Sequence, residues 1–112
     1  MPVQAQAKRA DQGSVAKLIA NNVAYFCQLD EDCFFEWLAR IGCVEHLHGQ
    51  GRALEITIDT ARLDDKGLRE LIGLFARYDI DMKQLAQLRD DHKRPWFSQR
   101  GTAFHGRVFG DS

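Results

Sequence analysis

The stretch LEITI, which begins at Leu54, alternates apolar with polar side chains, and it constrains the fold more than any other feature. Side chains of a β-strand point alternately to its two faces, so Leu54, Ile56 and Ile58 would share one face. Residues 44–48 can pair with this strand across the turn Gly49-Gln50-Gly51. The sequence therefore predicts an antiparallel β-hairpin at the middle of the chain.

Helical periodicity predicts four helices around this hairpin. The first spans residues 14–29, the second begins at Asp30, and the third follows Asp64. The motif Asp81-x-x-Gln84 has the form of a capping box and opens a short fourth helix. The predicted core-facing residues are Val15, Leu18, Ile19, Val23 and Phe26; Phe34, Trp37, Leu38 and Ile41; Leu68, Leu71, Ile72 and Phe75; and Met82, Leu85 and Leu88.

These elements predict an α+β fold in a single domain over residues 13–112, with residues 1–12 as a flexible N-terminal arm. The 112-residue chain has 45% hydrophobic residues, which is typical of a globular domain and too apolar for a disordered chain. A short third strand is compatible with the aromatic, glycine-rich segment after Pro95. The expected architecture is four helices packed on a small antiparallel hairpin.

The chain has no segment that predicts export or membrane insertion. Its first residues lack the apolar core of a secretory signal, and its longest apolar stretch is interrupted by Lys17, Asn21 and Asn22. We therefore expect a cytoplasmic protein without membrane contact, whose three cysteines are reduced.

Charge is distributed unevenly along the chain. Residues 30–91 contain fourteen acidic and eight basic residues, a net charge of −6, whereas both ends are basic. Phe34, Phe35 and Trp37 cannot all face one core stripe, so Phe35 or Trp37 is expected to stay partly exposed beside the acids. Exposed aromatic residues ringed by carboxylates predict a surface that binds a basic protein and argue against nucleic acid as a ligand. The candidate partner-binding residues are Asp30, Glu31, Asp32, Phe35, Glu36, Trp37, Asp64, Asp65 and Glu70.

A competing interpretation is that these acids only cap helices and pair with neighbours on their own helix, without binding a partner. Carboxylates at helix starts cap free amides, and Glu36 with Arg40 is an i, i+4 pair. Gly67 and Gly73 in the third helix provide another candidate interface, because small residues let a second backbone come close.

The side chains able to bind a metal are Cys27, Cys33, Cys43, His46 and His48, but they lack the paired short spacing of structural zinc sites. The competing interpretation is that Cys27 and Cys43 are buried and that the histidines lie on an exposed strand face. Acidic neighbours disfavour Cys33 as a nucleophile. We therefore expect no metal, no cofactor and no catalytic residue. A small metal-dependent enzyme built around these cysteines and histidines is the third hypothesis.

The basic, aromatic C-terminal segment carries the second hypothesis, a small RNA-binding or single-strand-binding module. Aromatic rings beside a basic groove can stack on bases. The competing interpretation is that these rings anchor the chain end on the core. The residues concerned are Lys93, Arg94, Trp96, Phe97, Arg100, Phe104, Arg107 and Phe109.

Three segments within residues 30–97 carry a resemblance: FFEWLARIGCV, GQGRALEITID and LRELIGLFARYDIDMKQLAQL. Together they resemble the immunity proteins of bacterial contact-dependent and polymorphic toxin systems. The resemblance implies a non-enzymatic protein that binds a cognate toxin, often a nuclease, and blocks it. A nuclease active site is basic because it holds phosphate, and an inhibitor can answer it with carboxylates.

Overall fold

The computed structural model describes residues 15–110 and contains the predicted hairpin as two neighbouring strands of its sheet. Strands β2 (Val44–Gln50) and β3 (Ala53–Asp59) pair antiparallel, with a register shift between Val44 and His46. Gly51 lies between the strands at a φ of 62°, in the left-handed region that glycine tolerates best. The hairpin prediction is confirmed, although β2 continues through two of the three residues assigned to the turn.

The third strand of the sheet lies at the N-terminal side, so the helix predicted over residues 14–29 is wrong. Strand β1 (Val15–Asn21) pairs antiparallel with β3, and the strand order is β1-β3-β2. Its side chains alternate strictly between exposed and buried, and Ala16, Leu18 and Ala20 face the core. Each edge of the central strand β3 carries backbone N–H and C=O groups that need hydrogen-bond partners, and β1 supplies these partners along one edge.

Helices α1 (Gln28–Arg40) and α2 (Asp65–Arg77) contribute to the same core as the sheet and run antiparallel to each other. Their direction follows from the contact of Tyr78, just after α2, with Asp30 near the start of α1. Helix α1 begins two residues before the predicted Asp30, and its N-cap is Cys27. The prediction for α2 is confirmed, because the Asp64 side chain accepts a hydrogen bond of 2.7 Å from the Gly67 amide.

Residues 82–110 contain short helical segments and no strand, which corrects the third strand considered there. A 3₁₀ helix spans Met82–Leu88, a second spans Pro95–Ser98, and α3 spans His105–Phe109. A further 3₁₀ turn, Thr60–Arg62, connects β3 to α2. At the predicted capping box, the Asp81 carboxylate accepts from the Lys83 amide and the Gln84 side chain donates to the Asp81 carbonyl, so this helix start is confirmed.

One hydrophobic core joins the sheet to the helices within residues 15–110, which confirms the α+β class. Its fully buried large residues come from every layer and include Leu18, Phe34, Leu38, Ile56, Ile58, Leu68, Leu71, Phe75, Leu85 and Phe97. The predicted N-terminal arm, residues 1–12, lies outside the described residues. In the described range, no helix has both the length and the apolar character needed to cross a bilayer.

Candidate protein-binding face

Among the described residues, the most exposed large apolar side chains lie at the beginning of α1. Phe26 is 90% exposed and Leu29 is 72% exposed, and we call this pair the α1 entry patch. Both residues belong to the segment that the sequence assigned to the first helix, with Phe26 facing the core. The strand β1 ends at Asn21, so the following loop carries Phe26 out to solvent instead. Two large apolar side chains this exposed are typical of an interaction surface.

Asp30 lies beside the patch, and its carboxylate is already engaged within the fold. Oδ2 accepts a 3.0 Å hydrogen bond from the Phe26 amide, and Oδ1 accepts a 3.0 Å hydrogen bond from the Tyr78 hydroxyl. These two bonds, the Phe26 amide first, lower the pKa of Asp30. Asp30 therefore positions the loop before α1 and fastens it to the end of α2.

The next two carboxylates are less constrained. Asp32 is exposed and, within residues 15–110, accepts a side-chain hydrogen bond only from Gln28, at 2.9 Å. The Glu31 carboxylate has no hydrogen-bond or ion-pair partner within residues 15–110, and it lines a cavity together with Tyr25. Burial, followed by the negative charge of Glu31, raises the pKa of Tyr25. Glu31 and Asp32 are thus the acids beside the patch that a partner can engage without breaking the fold.

The middle of α1 carries three further residues that the sequence predicted to bind a partner, and they differ in exposure and contacts. Phe35 is 36% exposed and packs edge-on against Phe34, with ring centroids 5.2 Å apart. Glu36 is exposed and forms a 2.9 Å ion pair with Arg40. Trp37 is partly buried between the helices. Partial exposure of Phe35 and Trp37 agrees with the sequence prediction.

Trp37 joins α1 to α2. Its indole Nε1 donates a 2.8 Å hydrogen bond to Glu70, and its ring lies 3.5 Å from the position that a Cβ at Gly73 would take. Gly73 therefore leaves room for a side chain of the same chain, which accounts for it without a partner backbone. Gly67 is buried, and a Cβ there would lie 3.0 Å from the Asp64 carboxylate. The second candidate interface has no support from these contacts.

The predicted acids do not form one cluster. Asp64 and Asp65 begin α2, while Asp30 lies near the beginning of the antiparallel α1. A helix of 13 residues is about 20 Å long, so the two groups lie at opposite ends of the helix pair. Glu70 lies between them and is bonded to Trp37. The structure brings Asp30, Glu31, Asp32 and Phe35 together and separates them from Asp64 and Asp65.

A cavity of about 490 Å³ opens next to Phe35, at one end of the sheet. Tyr25, Phe35, Glu31 and Arg52 form part of its wall. Much of the remainder consists of small residues that leave the space open, namely Ala20, Ala24, Gly49, Gly51 and Ala53. These residues are far apart in the sequence, so no local pattern predicted the cavity.

The aromatic residues of the C-terminal segment pack on one another. Phe97 is fully buried, and its ring centroid lies 5.1 Å from that of Phe109 and 5.8 Å from that of Phe104. The Arg69 guanidinium covers the Trp96 ring at 3.9 Å. The expectation that these rings anchor the chain end on the core is confirmed.

The cysteines and histidines are dispersed. Cys43 is buried, as expected, but Cys27 is exposed, which corrects the expectation that both are buried. His46 and His48 are exposed on β2, as predicted. Within residues 15–110, no group of three or more histidine, cysteine or acidic side chains is arranged to hold a metal ion.

Comparison of the chain with protein-family models, with curated proteins and with solved structures found no match.

Proposed function

We propose that this protein is a non-enzymatic inhibitor that binds a cognate protein toxin with a basic active site, such as a nuclease, and neutralises it. The observation that carries the proposal is the α1 entry patch, in which Phe26 and Leu29 are exposed beside the acidic turn Asp30–Asp32. Apolar anchors supply affinity when a partner buries them, and a surrounding rim of acids guides a basic partner to the site.

The acids of this face have separate roles in the proposal. Asp30 positions the loop, because both of its oxygens already accept hydrogen bonds. Glu31, Asp32 and Glu36 supply the negative charge, with Phe35 as a third apolar contact. Asp64, Asp65, Trp37 and Glu70 lie farther along the helix pair, so they belong to the face only if the partner covers its whole length.

The packing of the C-terminal aromatic residues favours the inhibitor over the RNA-binding module. Base stacking needs accessible ring faces, whereas Phe97 is fully buried and Arg69 covers Trp96. Within the described range, no group of side chains favours the metal-dependent enzyme.

The first experiment uses the product of the neighbouring gene as the candidate toxin. We expect that co-expression restores the growth of cells that the toxin inhibits, and that the two purified proteins associate. The double variant Phe26→Ser with Leu29→Ser should weaken association by roughly 100-fold, because central anchors contribute about 2 kcal/mol or more. A matched control is Val15→Ser with Ile19→Ser, since each of these side chains is 39% exposed on β1.

The acidic part of the face is tested separately by charge reversal. Glu31→Lys, Asp32→Lys and Glu36→Lys should slow association, and the wild-type association rate should fall as salt is added. Full binding by the patch variant, or association rates that neither salt nor charge reversal changes, would remove the support for this face.

A further inference from the structure

The sheet has two edge strands, β1 and β2, and side chains of the 3₁₀ helix Met82–Leu88 contact the outer edge of β1. At the outer edge of β1, the Ile19 amide donates to the Gln84 side-chain oxygen at 2.6 Å, and the Gln84 side-chain nitrogen donates to the Ile19 carbonyl at 2.8 Å. The Gln87 side chain donates to the Lys17 carbonyl at 3.3 Å. Side-chain amides therefore take the place of a further strand along this edge and close it to another chain.

These bonds also determine which backbone groups of β2 point outward. Ile19 directs both of its backbone groups away from β3, so Ile19 and Glu55 are a non-hydrogen-bonded pair. Glu55 must then direct its own groups toward its β2 partner, His48. Neighbouring residues of a strand alternate in direction, so Leu47 and Gly49 point their N–H and C=O groups out of the sheet.

We propose that two copies of this chain pair antiparallel through their β2 edges, with Leu47 of each copy opposite Gly49 of the other. The result is a continuous six-stranded sheet with four backbone hydrogen bonds across a two-fold axis that passes between the two His48 residues. This self-association is independent of the toxin-binding role proposed above.

The space beside Gly49 fits this register. Gly49 lines the 490 Å³ cavity, and a Cβ built on it would meet nothing within 4 Å. Leu47 pairs with Ile56, and Gly49 pairs with Leu54, so both belong to the core-facing side of the sheet. Directly opposed residues of an antiparallel pair share one face. The Leu47 side chain of one copy therefore lies beside Gly49 of the other, at the cavity mouth near Phe35.

The charges at the ends of β2 make a second copy a better occupant than an unrelated strand. Glu45 lies near the beginning of β2 and Arg52 lies in the turn after it. With Leu47 opposite Gly49, the Glu45 of one copy lies opposite Gly51 of the other, one position from Arg52, and the two-fold axis repeats this arrangement. Opposite charges across the strand pair stabilise it, and in this register no acid opposes an acid.

The first test measures the molecular mass against concentration. We expect a transition from 12.8 kDa to twice this mass. Gly49→Pro removes an outward N–H from both copies and no bond within the monomer, so it should raise the dissociation constant about tenfold or more and leave the melting temperature unchanged. The matched control is Gln50→Pro, which removes an N–H directed at β3 and should lower the melting temperature.

The second test fixes the register by cross-linking, in a background with Cys27→Ser and Cys33→Ser. His48→Cys should form a disulfide-linked dimer, because a non-hydrogen-bonded pair brings two Cα atoms to about 4.5 Å, within disulfide range. His46→Cys is the control, since it faces Gln50 of the other copy instead of itself.

A mass of 12.8 kDa up to the solubility limit would overturn the proposal, as would a dimer that cross-links through His46→Cys and not through His48→Cys. If the free protein is a monomer and the Leu47 and Gly49 amides become protected from hydrogen exchange only on adding the candidate toxin, the edge receives a strand of that partner and the second copy is excluded.

Discussion

The hydroxyl of Tyr78 lies 3.0 Å from Oδ1 of Asp30, so a residue just after α2 holds the beginning of α1 in place. The other oxygen of Asp30 accepts from the Phe26 amide, in the same loop that carries the exposed Phe26 side chain. The geometry of the α1 entry patch therefore depends on a contact between residues that are 48 positions apart in the chain.

This contact predicts a loss of stability in acid. Hydrogen bonds lower the pKa of Asp30 below its ordinary value of 3.8. Its contribution to folding is then fully present above pH 3.8 and disappears as the pH falls through the lower folded-state value. Asp30→Asn should destabilise the protein at pH 7, and its deficit relative to wild type should shrink in acid. Urea unfolding from pH 7 to pH 2 measures this, and a deficit independent of pH would contradict it.

The two glycines of α2 should respond oppositely to alanine. Gly73→Ala places a Cβ in ordinary contact with Trp37 and should stabilise the protein by about 0.5–1 kcal/mol, because glycine is a poor helix former. Gly67→Ala places a Cβ 3.0 Å from the Asp64 oxygen that caps the helix, so the lost cap should cancel or outweigh this gain. Thermal unfolding of the two variants makes the comparison, and equal gains would show that the cap has room.

The glutamines at the edge of β1 should protect it from hydrogen exchange. Gln84→Ala removes both hydrogen bonds to Ile19 and should cost about 1 kcal/mol of folding free energy, with faster exchange of the Ile19 amide. Gln87→Ala is the control, because it removes one 3.3 Å bond to β1, at the Lys17 carbonyl, together with a 2.9 Å bond to the Gln84 carbonyl, and it should cost less. Unchanged exchange at Ile19 in the Gln84 variant would mean that this contact does not close the edge.

The three thiols should differ in reactivity. Cys27 and Cys33 are exposed, whereas Cys43 is buried, and burial raises the pKa of its thiol to about 11. Because the thiolate is the reactive form, an alkylating reagent at pH 8 should modify two cysteines rapidly and Cys43 only on unfolding. Mass spectrometry counts the modified sites. Equally rapid modification of all three in the folded protein would contradict the burial of Cys43.

Phe97 should be the stability anchor of the C-terminal segment. It is fully buried among Trp96, Phe104 and Phe109, so Phe97→Ala should cost about 3–5 kcal/mol. Trp96→Ala should cost less, since Trp96 is only partly buried. A Phe97 variant that melts like wild type but binds oligonucleotides less well would revive the RNA-binding hypothesis.

The elements whose signals are local could be predicted from the sequence. The alternation around Ile56 predicted the hairpin, and the apolar stripe of Leu68, Leu71 and Phe75 predicted α2 together with its Asp64 cap. Turn glycines and helix-capping carboxylates act within a few residues of their own position. Such features can therefore be recognised from the sequence without the fold.

The conformation of residues 15–29 depends on contacts with distant parts of the chain. Val15, Leu18 and Ile19 fit a helical period, while Ala16, Leu18 and Ala20 fit a strand, and so short an apolar stretch is ambiguous in isolation. Pairing with β3, about 40 residues away, selected the strand, because a central strand must satisfy backbone groups on both sides. The same choice exposed Phe26 and Leu29, so the candidate site arises from contacts between distant segments that no local pattern records.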